Sequence, residues 1–347
     1  MPGSNRTRDR FDNTDCTKKR GDHVRKIIQC GIASVLLATA TLAGAQTAQN
    51  YPSRSIRMII HFPPGGPTDF VGRALGQKLT EAWKQQIIVE NRPGAGGVIG
   101  IETVLRAPAD GYTLLFGTSG SLALAPALQK LPYNVFTDLA PIALTVINPQ
   151  VLVVHPSLPV RSIQDLIKLA KSKPGQINYG SVGPGSPQHM GMELLKSMTG
   201  TNMLHVPYKG TALAMTDLLS GQITVMFNSI PTVLAQMQAG RMRGIAVGSA
   251  KRSPAIPDIP TVEESGVKGF QYATWYALMG QAALPKDIIA KINAESVKAL
   301  SEPEMAKRLS SQGAEPSPGT PEAMGKFMRD EYDNWVKVIK TANIKLD

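Results

Sequence analysis

The chain runs to 347 residues, 42% hydrophobic, 18% charged and only 5% aromatic, with a formal net charge of +11. This length suits two domains with sizeable cores, and the composition is that of an ordinary globular protein. So few aromatic side chains argue against a binder of single-stranded nucleic acid, which needs stacking platforms. The positive charge is spread without a Lys/Arg block, as a solvated surface that can help draw in acidic solutes.

Residues 1–45 read as a secretory signal peptide outside the fold. A polar, basic stretch ends at Arg25 and Lys26, a mostly apolar run spans Ile27–Ala43, and Ala43-Gly44-Ala45 is a small-residue cleavage site. This predicts a cut after Ala45 and a periplasmic mature protein. The alternative, a membrane anchor, fits less well: Gln29, Ser34, Thr39 and Thr41 interrupt a run already short of the roughly 20 apolar residues of a spanning helix. No Cys follows the cut, so no lipid anchor is expected, and the long polar stretch points to a translation start nearer Val24. The leader holds eight of the 37 Lys/Arg and four of the 26 Asp/Glu, which leaves 29 against 22, a mature net charge of +7. It also holds both cysteines, Cys16 and Cys30, so the mature chain has no disulfide, cysteine nucleophile or zinc-thiolate site.

The mature chain repeats strand, glycine- or hydroxyl-rich turn, helix. Ile56, Met58, Ile59, Ile60 and Phe62 read as a buried strand, stopped by Pro63-Pro64-Gly65-Gly66. A helix with Val71, Leu75, Leu79 and Trp83 on one face follows. Next come a strand at 86–90, the turn Asn91–Gly97, and a short helix over 98–106. That turn lacks the dinucleotide and P-loop fingerprints, so a structural role is favoured over phosphate binding. A strand over 112–116 ends in Gly117-Thr118-Ser119-Gly120-Ser121, ahead of a helix carrying Leu122, Leu124 and Leu128. Val146–Val154 is β-rich, interrupted at Asn148-Pro149-Gln150, and reads as the first crossing between domains.

A helix over 162–171 leads into three more such units. Their strands are Ile177–Gly180, His205–Tyr208 and Ile223–Phe227, and their turns Ser181–Gly185, Lys209-Gly210-Thr211 and Asn228-Ser229. Ser186-Pro187 is an N-cap with proline at the first helical position. After a strand at 244–247 and a Pro-rich loop, Gly269–Gly280 reads as an extended return to the first domain. Helices then cover Pro285–Ser310, broken near Pro303, and Glu322–Ala342.

The predicted class is α/β, two doubly wound domains with a cleft between them: residues 46–150 with 270–347, and 151–269. In open α/β sheets ligands sit beyond the carboxyl ends of strands. Helix starts there offer N–H donors and about half a positive charge each, enough to hold a carboxylate without a buried arginine. The candidate turns hold small hydroxyls, glycines and one permanent cation, Lys209. Each alone is also an ordinary βα loop; their recurrence in both halves favours a cleft. Asp69 is either a stabilising first-turn acid or a brace for its turn. His189, in the first turn of its helix, is either a cleft-facing donor or a satisfied polar residue behind the loop. No metal site is expected, since His61, His155, His189 and His205 have no metal-ligand spacing and no acidic cluster suits a hard ion. No cofactor or catalytic set is expected either: Gly117–Ser121 fails the nucleophile-elbow pattern.

The segments HFPPGGPTD, VENRPGAGGVIG, ADGYTLLFGTSG, YGSVGPGSPQHM, HVPYKGTALAMTDLLSGQI and PDIPTVEESG, in that order, resemble the Bug-type receptors of the tripartite tricarboxylate transporter family over about residues 50–347. The resemblance implies a type II periplasmic-binding fold with two crossovers, holding a di- or tricarboxylate or a carboxylated aromatic. It implies no catalysis. It maps the first-domain loop onto Pro63–Asp69, including Pro64, Gly65, Gly66 and Asp69. It maps the second-domain clamp onto Ser181, Gly183, Gly185, Ser186 and His189, and a further segment onto Val206–Gly210, including Tyr208, Lys209 and Gly210. Thr118 and Ser119 lie in the strand-to-helix turn Gly117–Ser121, and Ser121, Asn228, Ser229 and Trp275 are candidates for the distal wall, with Trp275 equally readable as core. Two positions depart from the family pattern. Asn228 stands where an acid is common, which favours a second ligand acid or an aromatic ring over a ligand amine, and Ser121-Leu122 stand where many members carry a polar or His residue after the T-S-x motif. The implied partners are the carboxylate and an integral-membrane permease, with no nucleic acid, and the receptor is expected to be a monomer. A receptor reporting to a sensor protein and a secreted α/β hydrolase are the alternatives.

Overall fold

The computed structural model describes residues 3, 50–342 and 344, so the leader apart from Gly3, its cleavage point and both cysteines lie outside the described residues. The chain separates into two compact units, Met1–Tyr51 and Pro52–Asp347, and the architecture described is that of the second.

Strand β1 (Ile56–Ile60) lies between β2 (Ile87–Asn91) and β3 (Thr113–Thr118), all parallel. The helices after β1 and β2 are α1 (Pro67–Trp83) and α2 (Val98–Leu105). Val71, Leu75 and Leu79 of α1 are buried as their spacing predicts. Phe62 is not: β1 ends at Ile60, and Phe62 is 41% exposed at the mouth of the following turn. The glycine-rich turn before α2 has a packing explanation. A Cβ on Gly97 (φ +104°) would stand 2.5 Å from His61 Cδ2, and one on Gly100 2.6 Å from His61 Cβ. β3 runs into a π-helical turn, Gly120–Leu124, and then into the four-residue α3 (Ala125–Leu128), in place of one regular helix.

The sheet continues through two long antiparallel strands. β9 (Ala273–Gln281) inserts between β3 and β4 (Leu139–Val154). The two-residue β10 (Glu315–Pro316) pairs with β4 at Val146 and Ile147. The expected interruption at Asn148-Pro149-Gln150 does not occur: β4 is one strand of 16 residues. The proline sits where the partner strand changes. Pro149 faces Ala273 at the last rung with β9, and Gln150 begins the ladder with β7 (Val225–Ser229). A residue without an N–H is tolerated there because neither ladder needs its donor.

Beyond Gln150 the same strand belongs to a second sheet region. β7 and β8 (Arg243–Val247) pair with it antiparallel, and β5 (Asn178–Ser181) and β6 (Leu204–Pro207) extend from β7 in parallel. The crossing helices are α4 (Ile163–Ser172), α5 (Pro187–Thr199), α6 (Thr211–Ser220) and α7 (Ile230–Gln238). The chain returns where Gly248 N donates to Gln150 O and Tyr272 N to Gly248 O, each at 2.7 Å, just ahead of β9. Helices α8 (Lys286–Ser301), α9 (Pro303–Ser310) and α10 (Pro321–Ala342) complete the fold, with the expected break falling between α8 and α9. Among the described residues no helix is long and apolar enough to cross a membrane.

Candidate functional site

The carboxyl ends of β1, β3 and β5 open onto one cleft of about 820 Å³. Its wall comes from the turn before α1, the turn after β3, the start of α5, the first residue of α6 and one face of β9. Of the 22 residues that line it, none is Lys, Arg, His, Asp or Glu.

The α1 side is built by sequence chemistry. Gly65 takes φ +86°, open to glycine without strain. Gly66 is the N-cap and has no side chain to cap the first-turn N–H groups, and Pro67 occupies the first turn without a donor of its own. Asp69 settles the two readings of it in favour of a brace. Its Oδ2 accepts from Gly65 N at 3.0 Å and Arg73 Nε at 2.9 Å, and its Oδ1 accepts from Asn91 Nδ2 at 2.9 Å. Asn91 Nδ2 also donates to Phe62 O at 3.1 Å, which ties the whole turn to β2. Burial pushes the Asp69 carboxyl up, but the Arg73, Gly65 and Asn91 hydrogen bonds outweigh it and hold the group below the usual carboxylate range. Arg73 and Asn91 were not singled out from the sequence; Arg73 lies four residues after Asp69, a spacing that pairs charges on a helix.

At the β3 end, Thr118, Ser119 and Ser121 all line the cleft. Ser121 Oγ donates to Thr118 O at 3.1 Å, Ser119 Oγ accepts from Trp275 N at 3.4 Å, and Thr118 Oγ1 lies 3.4 Å from His61 Nε2. Burial pushes His61 down to about 4, so the ring behind Thr118 is neutral.

The α5 side differs from expectation. Gly185 lines the cleft, together with Pro184, Pro187 and Gln188. Ser181, Gly183, Ser186 and His189 stand behind it and spend their hydrogen bonds on the loop. Ser181 Oγ accepts from Gly183 N at 3.0 Å and lies 2.6 Å from His205 Nε2. Ser186 Oγ donates to Gly183 O at 2.6 Å and caps His189 N at 3.4 Å. His189 Nδ1 accepts from Gly185 N at 3.1 Å, which puts its hydrogen on Nε2, 3.8 Å from Glu193 Oε1. His189 is thus the satisfied residue behind the loop. Its ring stacks on His205 at 4.2 Å, and His205 on Tyr179 at 5.0 Å. Burial lowers both imidazoles, His205 to about 4. Ser181 and His205 form a Ser–His contact that the sequence did not reveal, but Ser181 is fully buried and its hydroxyl is tied into the loop.

Six other candidates stand away from the wall. Tyr208 donates to Asp217 Oδ2 at 2.7 Å, and burial and that carboxylate push its phenol up to about 12. Lys209 is exposed, and Gly210 opens α6, whose first residue, Thr211, does line the cleft. Asn228 is 2% exposed, its amide directed at Met215 Sδ 3.2 Å away, and Ser229 Oγ pairs with Thr232 Oγ1 at 2.7 Å. Trp275 is core, 1% exposed: its indole N–H donates to Glu331 and its ring packs edge-on against Phe327. The reason is strand parity. Successive side chains of β9 point to opposite faces, so Thr274 and Tyr276 line the cleft and Trp275 faces α10. Gln188 carries the one loose end on the cleft wall, a buried Oε1 without a partner. Among the described residues no cluster of three His, Cys, Asp or Glu could hold a metal.

The model of the tripartite tricarboxylate transporter family receptor matches residues 71–344. Protein BugT of Bordetella pertussis is 36% identical over 317 residues, covering 91% of this chain and 97% of BugT. The structure of Rhodopseudomonas palustris Rpa4515 with adipate is similar at a TM-score of 0.71 and 35% identity, covering 85% of this chain and 99% of that one. MatC from the same organism, with bound malate, is similar at a TM-score of 0.68 and 29% identity, covering 83% and 100%.

Proposed function

Because the chain belongs to the tripartite tricarboxylate transporter receptor family, we propose that it is a periplasmic receptor that holds a small carboxylate in this cleft and hands it to an integral-membrane permease. The family is one of receptors, and we read the cleft as non-catalytic. The fold is the α/β type II periplasmic-binding kind, shared with the adipate- and malate-bound structures. Those two ligands are themselves small carboxylates.

One observation carries the reading. The cleft has a helix start without a side-chain cap and several hydroxyls, and no charged side chain in its wall. Peptide dipoles there can grip an anion, while an ammonium would find no carboxylate partner. We assign the ligand contacts to Gly66, Thr68, Thr118, Ser119, Ser121 and Gly185, with Asp69, Ser186 and His189 shaping the loops around them. Within residues 52–342 we take 52–150 with 270–342 as one domain and 151–269 as the other, crossed by β4 and by the 248–273 return. Hinge closure between them seals the ligand, which a monomer can do. On this reading the leader directs export and is removed by a cut after Ala45.

Titrating the mature protein with organic acids in a thermal melt tests this, since a ligand of the native state raises the melting temperature with the logarithm of its concentration. A melt moved only by sugars or amines overturns the carboxylate assignment. Uptake that persists when the partner permease is deleted overturns the delivery step.

A further inference from the structure

We infer that Asn148 and Gln150 are positioning residues for the ligand: they donate to the hydroxyl oxygens of Tyr276 and Thr274, so that both hydroxyl hydrogens are left for an acceptor in the cleft. This adds Thr274 and Tyr276 to the contacts assigned above, and it rests on the carboxylate reading.

The two amides flank Pro149, where β4 passes from β9 to β7. Register puts Asn148 directly opposite Thr274 and diagonal to Tyr276, which itself faces Val146. Opposed residues of an antiparallel pair share a face. Asn148, and Gln150 two residues on, therefore lie on the same side of the sheet as the two β9 residues that line the cleft. Neither amide lines it. They are 6% and 4% exposed, a costly place for polar groups whose hydrogen bonds are not met.

Gln150 shows the device completely. Its Nε2 donates to Asn148 O at 3.2 Å and to Thr274 Oγ1 at 3.3 Å. A carbonyl can only accept, which fixes the donor end of the amide and makes Thr274 Oγ1 an acceptor. The Thr274 hydrogen is left over, and Thr274 opens on the cleft. Asn148 repeats the arrangement one step along. Its Nδ2 is buried and closes no hydrogen bond of ordinary geometry. The group it acts on is the Tyr276 phenol: burial pushes that phenol up, and donation from Thr68 and Asn148 to its oxygen opposes the push. An oxygen met by two donors turns its own hydrogen elsewhere, and Tyr276 too opens on the cleft. A carboxylate, all acceptor, suits both hydroxyls.

Calorimetric titration of the mature protein with succinate, adipate, malate, citrate and benzoate tests this, using each acid that binds wild type. Asn148→Leu and Gln150→Met, which remove the donor and keep the reach of the side chain, should each weaken binding about fivefold, the loss of about one hydrogen bond. Thr274→Val and Tyr276→Phe should each cost the same. The losses should not multiply within a pair: Asn148→Leu should add nothing to Tyr276→Phe, and Gln150→Met nothing to Thr274→Val. Losses that multiply send the effect by another route and overturn the inference. Unchanged affinity in both amide variants, with only the unfolding midpoint lowered, makes the amides structural and overturns it while the carboxylate reading stands. Unchanged affinity in Thr274→Val and Tyr276→Phe does the same, even where the amide variants fail to fold. If no acid binds wild type, the carboxylate reading falls and this inference with it.

Discussion

The amide of Gly185, on the cleft wall, donates to Nδ1 of His189, one turn into α5, at 3.1 Å. The imidazole can accept only while that nitrogen is bare, and burial keeps the ring neutral. His189→Leu should therefore leave a loop amide without its acceptor and cost about 1–3 kcal/mol of stability. His189→Asn, whose side-chain oxygen can accept, should recover part of that. Equal unfolding midpoints for wild type and His189→Leu would show that the bond contributes nothing.

Asp69 gathers three donors, from Gly65, Arg73 and Asn91, without lining the cleft itself. Asp69→Ala should weaken ligand binding through a loosened Phe62–Gly66 turn and lower stability by about 2 kcal/mol, the range for hydrogen bonds to a charged group. The carboxyl is held below its ordinary 3.8, so its contribution is complete above that value and is lost as the pH falls through the lower, folded one. Affinity unchanged in Asp69→Ala would separate the turn from the site.

Parity on β9 yields a paired experiment. Tyr276→Phe removes the phenol that hydrogen-bonds Thr68, one of the assigned ligand contacts, and should lower carboxylate affinity about fivefold, the equivalent of about 1 kcal/mol from one hydrogen bond. Trp275→Phe should leave affinity alone and destabilise, because one indole donor to the buried Glu331 is gone. The reverse pattern in titration and melting would mean that the strand faces are exchanged.

Two buried groups titrate with opposite sign. Burial lowers His61 from 6.5 to about 4, so the native state refuses a proton that the unfolded chain takes, and stability is lost as pH falls across that window. At about 1.36 kcal/mol per unit the loss is about 3 kcal/mol. Burial raises Glu331 from 4.5 to about 7, against the hydrogen bonds from Trp275 and Trp335. The native state keeps that proton, and stability is lost as pH rises through the same range. Glu90, held near 2 chiefly by Arg57, acts only below 4.5. His189 and His205 are lowered as well, the latter to about 4, and add to the His61 side. Wild type should accordingly melt somewhat higher as pH rises from about 4.5 to 6.5, and Glu331→Gln should climb more steeply across it. Parallel profiles for the two proteins would refute the compensation.

Most elements were legible because apolar runs stop at Gly or Pro, as Ile56–Ile60 does before Pro63, and helices start at a capping Ser, as α5 does at Ser186. What the sequence withheld was direction. β9 is buried on both faces from Trp275 onward, so no polar alternation marks which side meets the cleft. Ser181 and Ser186 look like ligand donors, yet a hydroxyl that caps its own loop has the same spelling as one that faces a solute. The identities of the loops were readable; the bonds each hydroxyl makes depend on neighbours such as His205, 24 residues further along.

β9 lies between β3 and β4, and β4 completes one sheet region with its first half and the other with its second. A chain emerging residue by residue therefore cannot close its first sheet until Gln281 has been made, more than 160 residues after β3. The newborn polypeptide spends that interval with the edges of β3 and β4 unpaired, open to self-association. On the export reading proposed above, delayed closure of this kind would keep a precursor threadable, and it makes cutting the chain at residue 150 a poor way to obtain either half alone.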